Sequence, residues 1–220
     1  MRRSEATATA AHPVTPRSVA ARWVAARTVA ARFIALSLLV WLTTACGSSQ
    51  YERVRDEWTR DRQAYQDLSA RAFATVTLKV EPFRRAYVDE YARLFALTAE
   101  QREALLESEL EEDKTDLVTV VSFYTPVPAW NDLNPARGIW EVRLESARGD
   151  YVAPYRVTRL DQRNPTWGTL YPYVDPYHVL YELRFERQLP DGRPIAGPGE
   201  ELALVIAGAP TRIRLTWVLP

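Results

Sequence analysis

Between residues 72 and 80 apolar and polar side chains alternate, with Ala72, Ala74, Val76, Leu78 and Val80 on one side and Phe73, Thr75, Thr77 and Lys79 on the other. A period of two is the pattern of a half-buried strand. It recurs where Trp140, Val142 and Leu144 alternate with Glu141, Arg143 and Glu145, and where Val179, Tyr181, Leu183 and Phe185 alternate with His178, Glu182, Arg184 and Glu186. Ile213, Leu215, Trp217 and Leu219 repeat it against Arg212, Arg214 and Thr216. Residues 117–124 and 202–206 are apolar on both sides, as buried strands are, and 151–158 is a weaker strand. Arg148-Gly149, Pro190-Asp191-Gly192 and Gly208-Ala209-Pro210 supply turns between them.

A second period interrupts the first. Tyr51, Val54, Trp58, Tyr65, Leu68 and Ala72 recur at threes, fours and sevens, which predicts an N-terminal helix over 51–70 broken in its stripe only by Asp61. Glu81-Pro82 ends the first strand, and Phe83, Tyr87, Tyr91, Leu94 and Phe95 then form a helical stripe. Thr98 with Gln101 three residues on predicts a capping box that opens a second helix through Leu105, Leu106 and Leu110. The expected fold is α+β, mainly β: an immunoglobulin-like antiparallel β-sandwich over 71–220, with an N-terminal helix and a two-helix insertion at 81–113 between its first and second strands.

Residues 33–45, FIALSLLVWLTTA, are an uncharged apolar run that ends at Cys46, followed by Gly47-Ser48-Ser49. Thirteen residues are too few for a bilayer core, which needs about 20, but they match the apolar region of a secretory signal. Arg22, Arg27 and Arg32 precede the run and give it a positive flank. These residues resemble the export signal and lipobox of bacterial lipoprotein precursors, with Thr43 where Leu is commonest in that pattern. The resemblance covers residues 29–49 and implies cleavage between Ala45 and Cys46, removal of 1–45, and a diacylglycerol and an N-acyl chain on Cys46. It also implies a lipid-anchored protein of the cell envelope, and Gly47, where an Asp would signal inner-membrane retention, points to the outer membrane in a cell that has one. Residues 46–50 are then a short tether. Upstream, Val-Ala-Ala-Arg occurs at Val19, Val24 and Val29, and a period of five puts the arginines on no common helical face.

Removing 1–45 changes the charge. The full chain balances 28 Lys+Arg against 28 Asp+Glu; residues 1–45 hold six Arg and one Glu, leaving 22 basic and 27 acidic groups. A mildly acidic domain argues against nucleic-acid binding. Its 175 residues are enough for a real core, and with the lone cysteine lipidated that core carries stability without a disulfide.

Catalytic chemistry has few parts available. Past the signal there is one histidine, His178, on the polar side of its strand, and no free thiol, so neither nucleophilic triads nor zinc sites assemble. The acids Glu107, Glu109, Glu111, Glu112 and Asp113 have no Gly-punctuated loop around them and read as a solvated helix face, with a metal site the remote alternative. Arg148-Gly149-Asp150 reads as a turn. Two loops set aromatics beside prolines, one with Trp130 and the other with Trp167, Tyr171 and Tyr173. Either these four rings form a platform for sugar or extended peptide, or Trp130 and Trp167 fold back and plug the ends of the sandwich. Three functions follow in order: a non-enzymatic envelope module that docks a protein partner, a module binding cell-wall glycan through those rings, and a hydrolase with paired carboxylates. No metal or dissociable cofactor is expected.

Overall fold

The computed structural model describes residues 49–220, so the signal run and Cys46 lie outside the described residues. Helix α1 (Gln50–Trp58) opens at Ser49, whose hydroxyl accepts the Glu52 N–H at 3.1 Å while the Glu52 carboxylate accepts the Ser49 N–H at 2.8 Å. Helix was expected to residue 70, but the backbone straightens at Thr59 into strand β1 (Thr59–Gln66). It lies antiparallel to β2 (Ser69–Lys79), Thr59 facing Thr77 and Gln66 facing Ser69, with Asp67 turning the hairpin at φ 53°. Arg60, Asp61, Arg62 and Gln63 give β1 no apolar face, as suits an edge strand, so no period of two announces it.

Helix α2 (Glu81–Phe95) takes Pro82 into its first turn and ends at Ala96, in the left-handed region at φ 49°. The expected capping box opens α3 (Ala99–Thr115): Thr98 accepts the Gln101 N–H at 3.2 Å and Gln101 accepts the Thr98 N–H at 2.9 Å. The remaining strands are β3 (Asp116–Tyr124), β4 (Trp140–Ser146), β5 (Tyr151–Val152), β6 (Arg156–Arg159), β7 (Val179–Glu186), β8 (Glu201–Gly208) and β9 (Thr211–Val218), with a short helix α4 (Pro165–Leu170) before β7. They form two antiparallel sheets, ordered β1-β2-β3-β7-β6 and β5-β4-β8-β9, and with four helices the described residues make a mixed α+β fold. No helix among them is long and apolar enough to cross a membrane.

The two sheets face each other across one apolar core. Ala72, Ala74, Val76 and Leu78 of β2 and Phe123 of β3 are buried, and the Phe123 ring meets Trp140 of β4 edge-on at 5.3 Å. Trp217 of β9 donates its indole N–H to the Trp58 carbonyl at 3.0 Å, joining α1 to the far sheet. Trp140 lies across the β8 backbone at Gly208, where a Cβ would stand 2.7 Å from the ring. Glycine is therefore the residue that lets β4 and β8 close.

The other face of the five-stranded sheet carries α2 and α3, and charge fills that interface. Arg84 of α2 is fully buried; its Nη1 donates to Glu109 at 2.5 Å and Glu112 at 2.7 Å, and its Nε to Asp113 at 3.2 Å and to the Lys79 carbonyl at 3.1 Å. Lys79 of β2 pairs with Glu109 at 3.1 Å, Arg184 of β7 with Glu112, and Arg187 with Asp113 at 3.0 Å. The acids of α3 are thus no uniform solvated face: Glu107 and Glu111 meet solvent, whereas Glu109, Glu112 and Asp113 turn inward because the buried cations need counter-charge. Burial works against ionisation of Glu112, but Arg84, Lys79 and Arg184 outweigh it and hold the carboxyl below its usual range. At Asp113 burial wins and raises it.

Replacing Arg84 with methionine leaves three inward carboxylates without their shared cation. Breaking a buried pair from one side costs about 3–5 kcal/mol. Urea unfolding of Arg84→Met is expected to show a loss of that size, and Arg85→Met, a solvated neighbour on the same helix, a loss of less than about 1 kcal/mol.

Candidate functional site

Antiparallel pairing brings several connections to one end of the two sheets. The β1–β2 hairpin tip, the β3–β4 loop and the β6–β7 loop meet there, as the facing pairs Gln66 with Ser69, Phe73 with Tyr124, and Phe123 with Val179 require. The β8–β9 turn joins them, since Gly208 faces Trp140. Leu68 at the hairpin tip is 100% exposed, Tyr177 is 77% exposed and Ile139 is 44% exposed.

The β3–β4 loop folds on itself around Asn131. Its Oδ1 accepts the Thr125 N–H at 2.5 Å and the Thr125 hydroxyl at 2.8 Å, and its carbonyl accepts the Tyr181 hydroxyl at 2.6 Å. Leu133 is buried beneath the loop. Gly138 closes it by donating to the Asn134 carbonyl at 2.7 Å, where a Cβ would stand 2.1 Å from the Asp132 carbonyl oxygen. Between this loop and the β6–β7 edge lies a cleft of about 440 Å³, lined by Asn131, Asn134 and Arg137 of the loop and by Val157, Arg159 and Val179 of the sheet edge.

A second cleft of about 660 Å³ shares Arg159 and continues along the β6–β7 loop past Arg163 and Gln162. Gln162 latches that loop, donating to the Asp175 carbonyl at 3.1 Å and the His178 carbonyl at 2.5 Å. Asp161 and Asp175 are turned to backbone, accepting the N–H of Arg163 at 3.0 Å and of Tyr177 at 2.8 Å. Arg159 and Arg163 have no ion pair among the described residues.

Of the four aromatics read either as a ligand platform or, for the two tryptophans, as plugs, Tyr171 is buried and Trp130, Trp167 and Tyr173 are half-buried. Tyr171 stacks on Phe83 at 6.3 Å; Tyr173 is joined to the Thr77 hydroxyl at 2.7 Å beneath the helices. Burial pushes both phenols above their ordinary value. Trp167 meets Tyr171 at 6.2 Å with a 30° tilt, and Tyr171 meets Tyr173 with a 54° tilt, so these rings are not coplanar. Trp130 stands apart, its carbonyl accepting the Trp140 indole N–H at 2.6 Å. Phe83 was legible as a core position of α2; nothing local in the sequence says that Tyr171 lies against it.

A different row of rings crosses the same end. Tyr65, Phe73, Tyr124 and His178 follow one another at 5.3, 5.5 and 5.4 Å, from β1 through β2 and β3 to the residue before β7. Standing beside one another, these rings spend their faces on each other. His178 is half-buried rather than a plain surface residue, with Nδ1 2.9 Å from the Ser122 hydroxyl, and burial holds its imidazole below the ordinary value of 6.5 although Asp175 opposes this.

Among the described residues no group of three or more His, Cys, Asp or Glu side chains is placed to hold a metal ion. No family model and no curated protein matches the chain. Among solved structures it is similar to a crystal structure of a protein of unknown function from Burkholderia pseudomallei K96243, at 12% identity and a TM-score of 0.37, over 77% of this chain and 82% of that one. Nothing is transferred to this chain at that distance.

His178 gives the site a pH dependence of defined sign. Its folded pKa is depressed, so protonation favours the unfolded chain; the contribution is full above the unfolded value and lost as pH falls through the folded one. The urea midpoint of the detergent-solubilised full chain is expected to drop between about pH 7.5 and about pH 5.5, and to drop less in His178→Gln. An equal drop in both would show that the titration belongs elsewhere.

Proposed function

We propose that this chain is a lipid-anchored protein of a bacterial cell envelope, at the outer membrane where there is one, whose immunoglobulin-like sandwich works as a non-enzymatic interaction module. The strand orders support the finer fold. β2-β3-β7-β6 opposite β5-β4-β8-β9 follows the immunoglobulin arrangement A-B-E-D opposite C′-C-F-G, with β1 added at an edge and α2 and α3 inserted between the first two sheet-forming positions. In that architecture the B–C and F–G loops recognise ligands in variable domains, which is an analogy of fold and carries no residue over.

The observation that carries the docking reading is the exposure of Leu68, Ile139 and Tyr177 on three connections at the same end of the sheets. Exposed apolar side chains grouped on one surface mark interaction sites more often than scattered ones do. The glycan alternative rested on four exposed rings and loses its support with the burial of Tyr171. A paired-acid hydrolase loses ground because Glu109, Glu112 and Asp113, the most closely grouped inward carboxylates of α3, are held by Arg84. On the anchoring side, only Gly47 and Ser48 separate Cys46 from the Ser49 cap, a covalent span of at most about 11 Å. A lipidated Cys46 then holds the domain at the bilayer surface rather than on a stalk.

Two measurements test the two halves of the proposal. Cys46→Ser is expected to leave an unprocessed precursor or a soluble protein, read by membrane fractionation and intact mass; unchanged fractionation and mass would overturn the anchor. A photo-crosslinking p-benzoylphenylalanine placed at Leu68 or Tyr177 in cells is expected to give adducts of discrete mass, and the same group at Phe95 or Tyr151, which are exposed elsewhere, is not. Adducts from the latter pair alone would move the docking surface away from the loops.

A further inference from the structure

The cleft under the β3–β4 loop is unbalanced in its hydrogen bonding. Asn131 is 9% exposed, and the atom facing Thr125 accepts a backbone N–H, which can only donate. That atom is therefore the amide oxygen, and the Nδ2 group is left on the cleft side without a partner. Asn134 is oriented by the same logic: its Oδ1 accepts the Ala136 N–H at 2.9 Å, which frees its Nδ2. The Tyr181 hydroxyl has already donated to the Asn131 carbonyl.

The charged groups lean the same way. Arg159 enters the cleft from β6 with no ion pair among the described residues, and it sits on the same strand face as Val157 because they are two residues apart. Arg137 has one loose partner, Asp132 at 3.6 Å. Asp132 is the lone acid lining the cleft, and its Oδ1 is occupied by the Asn134 N–H at 2.9 Å. The free capacity is thus mainly donors, two guanidinium groups and two amide nitrogens, against one Asp132 oxygen, Oδ2, whose cation partner is Arg137 at 3.6 Å. Donors left without a protein partner at the wall of a cleft are open to water or to a ligand.

We propose that this cleft binds a carboxylate that carries a small apolar substituent, as in a free N-acylamino acid or at the C-terminus of a peptide. A guanidinium presents a planar fork that matches a carboxylate with two parallel hydrogen bonds, and Arg159 and Arg137 supply two such forks. Asn131 Nδ2 and Asn134 Nδ2 take the remaining oxygen lone pairs. Val157 and Val179, on the sheet-edge wall beside Arg159 and across from the Asn131–Arg137 loop, receive the apolar substituent. The volume of about 440 Å³ admits a ligand of that size and excludes a folded domain. The inference deepens the interaction-module reading by giving the loop end a ligand chemistry, and it rests on that reading only for its biological setting.

The test is calorimetric titration of the purified, detergent-solubilised full chain with N-acetyl-L-valine, with the tripeptide Ala-Ala-Val, with N-acetyl-L-valinamide and with inorganic phosphate. Saturable binding of either carboxylate, and about tenfold weaker or no binding of the amide, is the expected result, and the tighter of the two acids identifies the source. Asn131→Asp keeps an oxygen for Thr125 but replaces the free donor with negative charge, and Arg159→Gln removes an unpaired surface cation without disturbing a recorded contact. Both variants are expected to weaken the acid about tenfold or more, with thermal unfolding near that of the parent for Arg159→Gln. Equal binding of acid and amide, binding of phosphate alone, binding undiminished in Arg159→Gln, or no binding of either acid would each overturn the proposal. The in-cell crosslinking reads docking independently of this outcome, so failure of one is distinguishable from failure of the other.

Discussion

Arg84 is fully buried, and three carboxylates of α3 and the Lys79 carbonyl converge on its guanidinium. This contact decides where the helical layer sits. Helix α3 has Leu106 as its one fully buried residue, with Leu105 and Leu110 packed partly against the core, so its apolar stripe is thin. Direction comes instead from charge: Glu109 reaches Lys79 on β2, Glu112 reaches Arg184 on β7, and Arg84 bridges both acids from α2. Desolvating so many ions consumes much of their mutual attraction, which makes such a cluster a weak source of net stability. Its strength is in register, since a slide of α3 by one turn would strand several buried charges at once.

The position of α2 then reaches the loop end through the residue next to Arg84. Phe83 is buried and stacks on Tyr171 at 6.3 Å, while Tyr51 of α1 meets the Phe83 ring at 6.1 Å and donates its hydroxyl to the Leu170 carbonyl at 2.6 Å. Leu170 and Tyr171 are the pins that hold the long β6–β7 connection against the helices. The Gln162 latch fixes its other part, and Arg159 stands where β6 feeds into it. The β6–β7 connection is thus held at two places, by packing on the helical layer and by the Gln162 hydrogen bonds.

Much of the architecture was legible in the sequence because burial writes itself as a period. The strands at 72–80, 117–124, 140–144, 179–185, 202–206 and 213–219 each bury at least one face, and the Thr98 and Gln101 pair marks a helix start by chemistry that is local. Strand β1 was hidden for the opposite reason: its backbone is satisfied by β2 while Arg60, Asp61, Arg62 and Gln63 bury little, so the helical spacing of Tyr51, Val54 and Trp58 runs on past its true end. The acids of α3 misled in the same way. Sequence shows carboxylates in a helix, and the cation that turns three of them inward is Arg84, on the preceding helix.

The candidate site shows where sequence reading stops in principle. Both unusual loops were visible from their prolines and aromatics, and both do line the clefts, yet in the second loop Trp167, Tyr171 and Tyr173 pack on one another and on the core. What distinguishes the cleft is the state of individual atoms. An asparagine offers a donor and an acceptor alike; only the fold, by placing the Thr125 N–H against one end of Asn131, converts it into a donor facing outward. Asp132, Asp161 and Asp175 count as negative charges in a composition, but each spends a carboxylate oxygen on a backbone N–H two residues on, while Arg159 and Arg163 go without an ion pair. A mildly acidic domain can therefore present a donor-rich, cationic recess, because recognition depends on which groups folding leaves unsatisfied rather than on how many the chain contains.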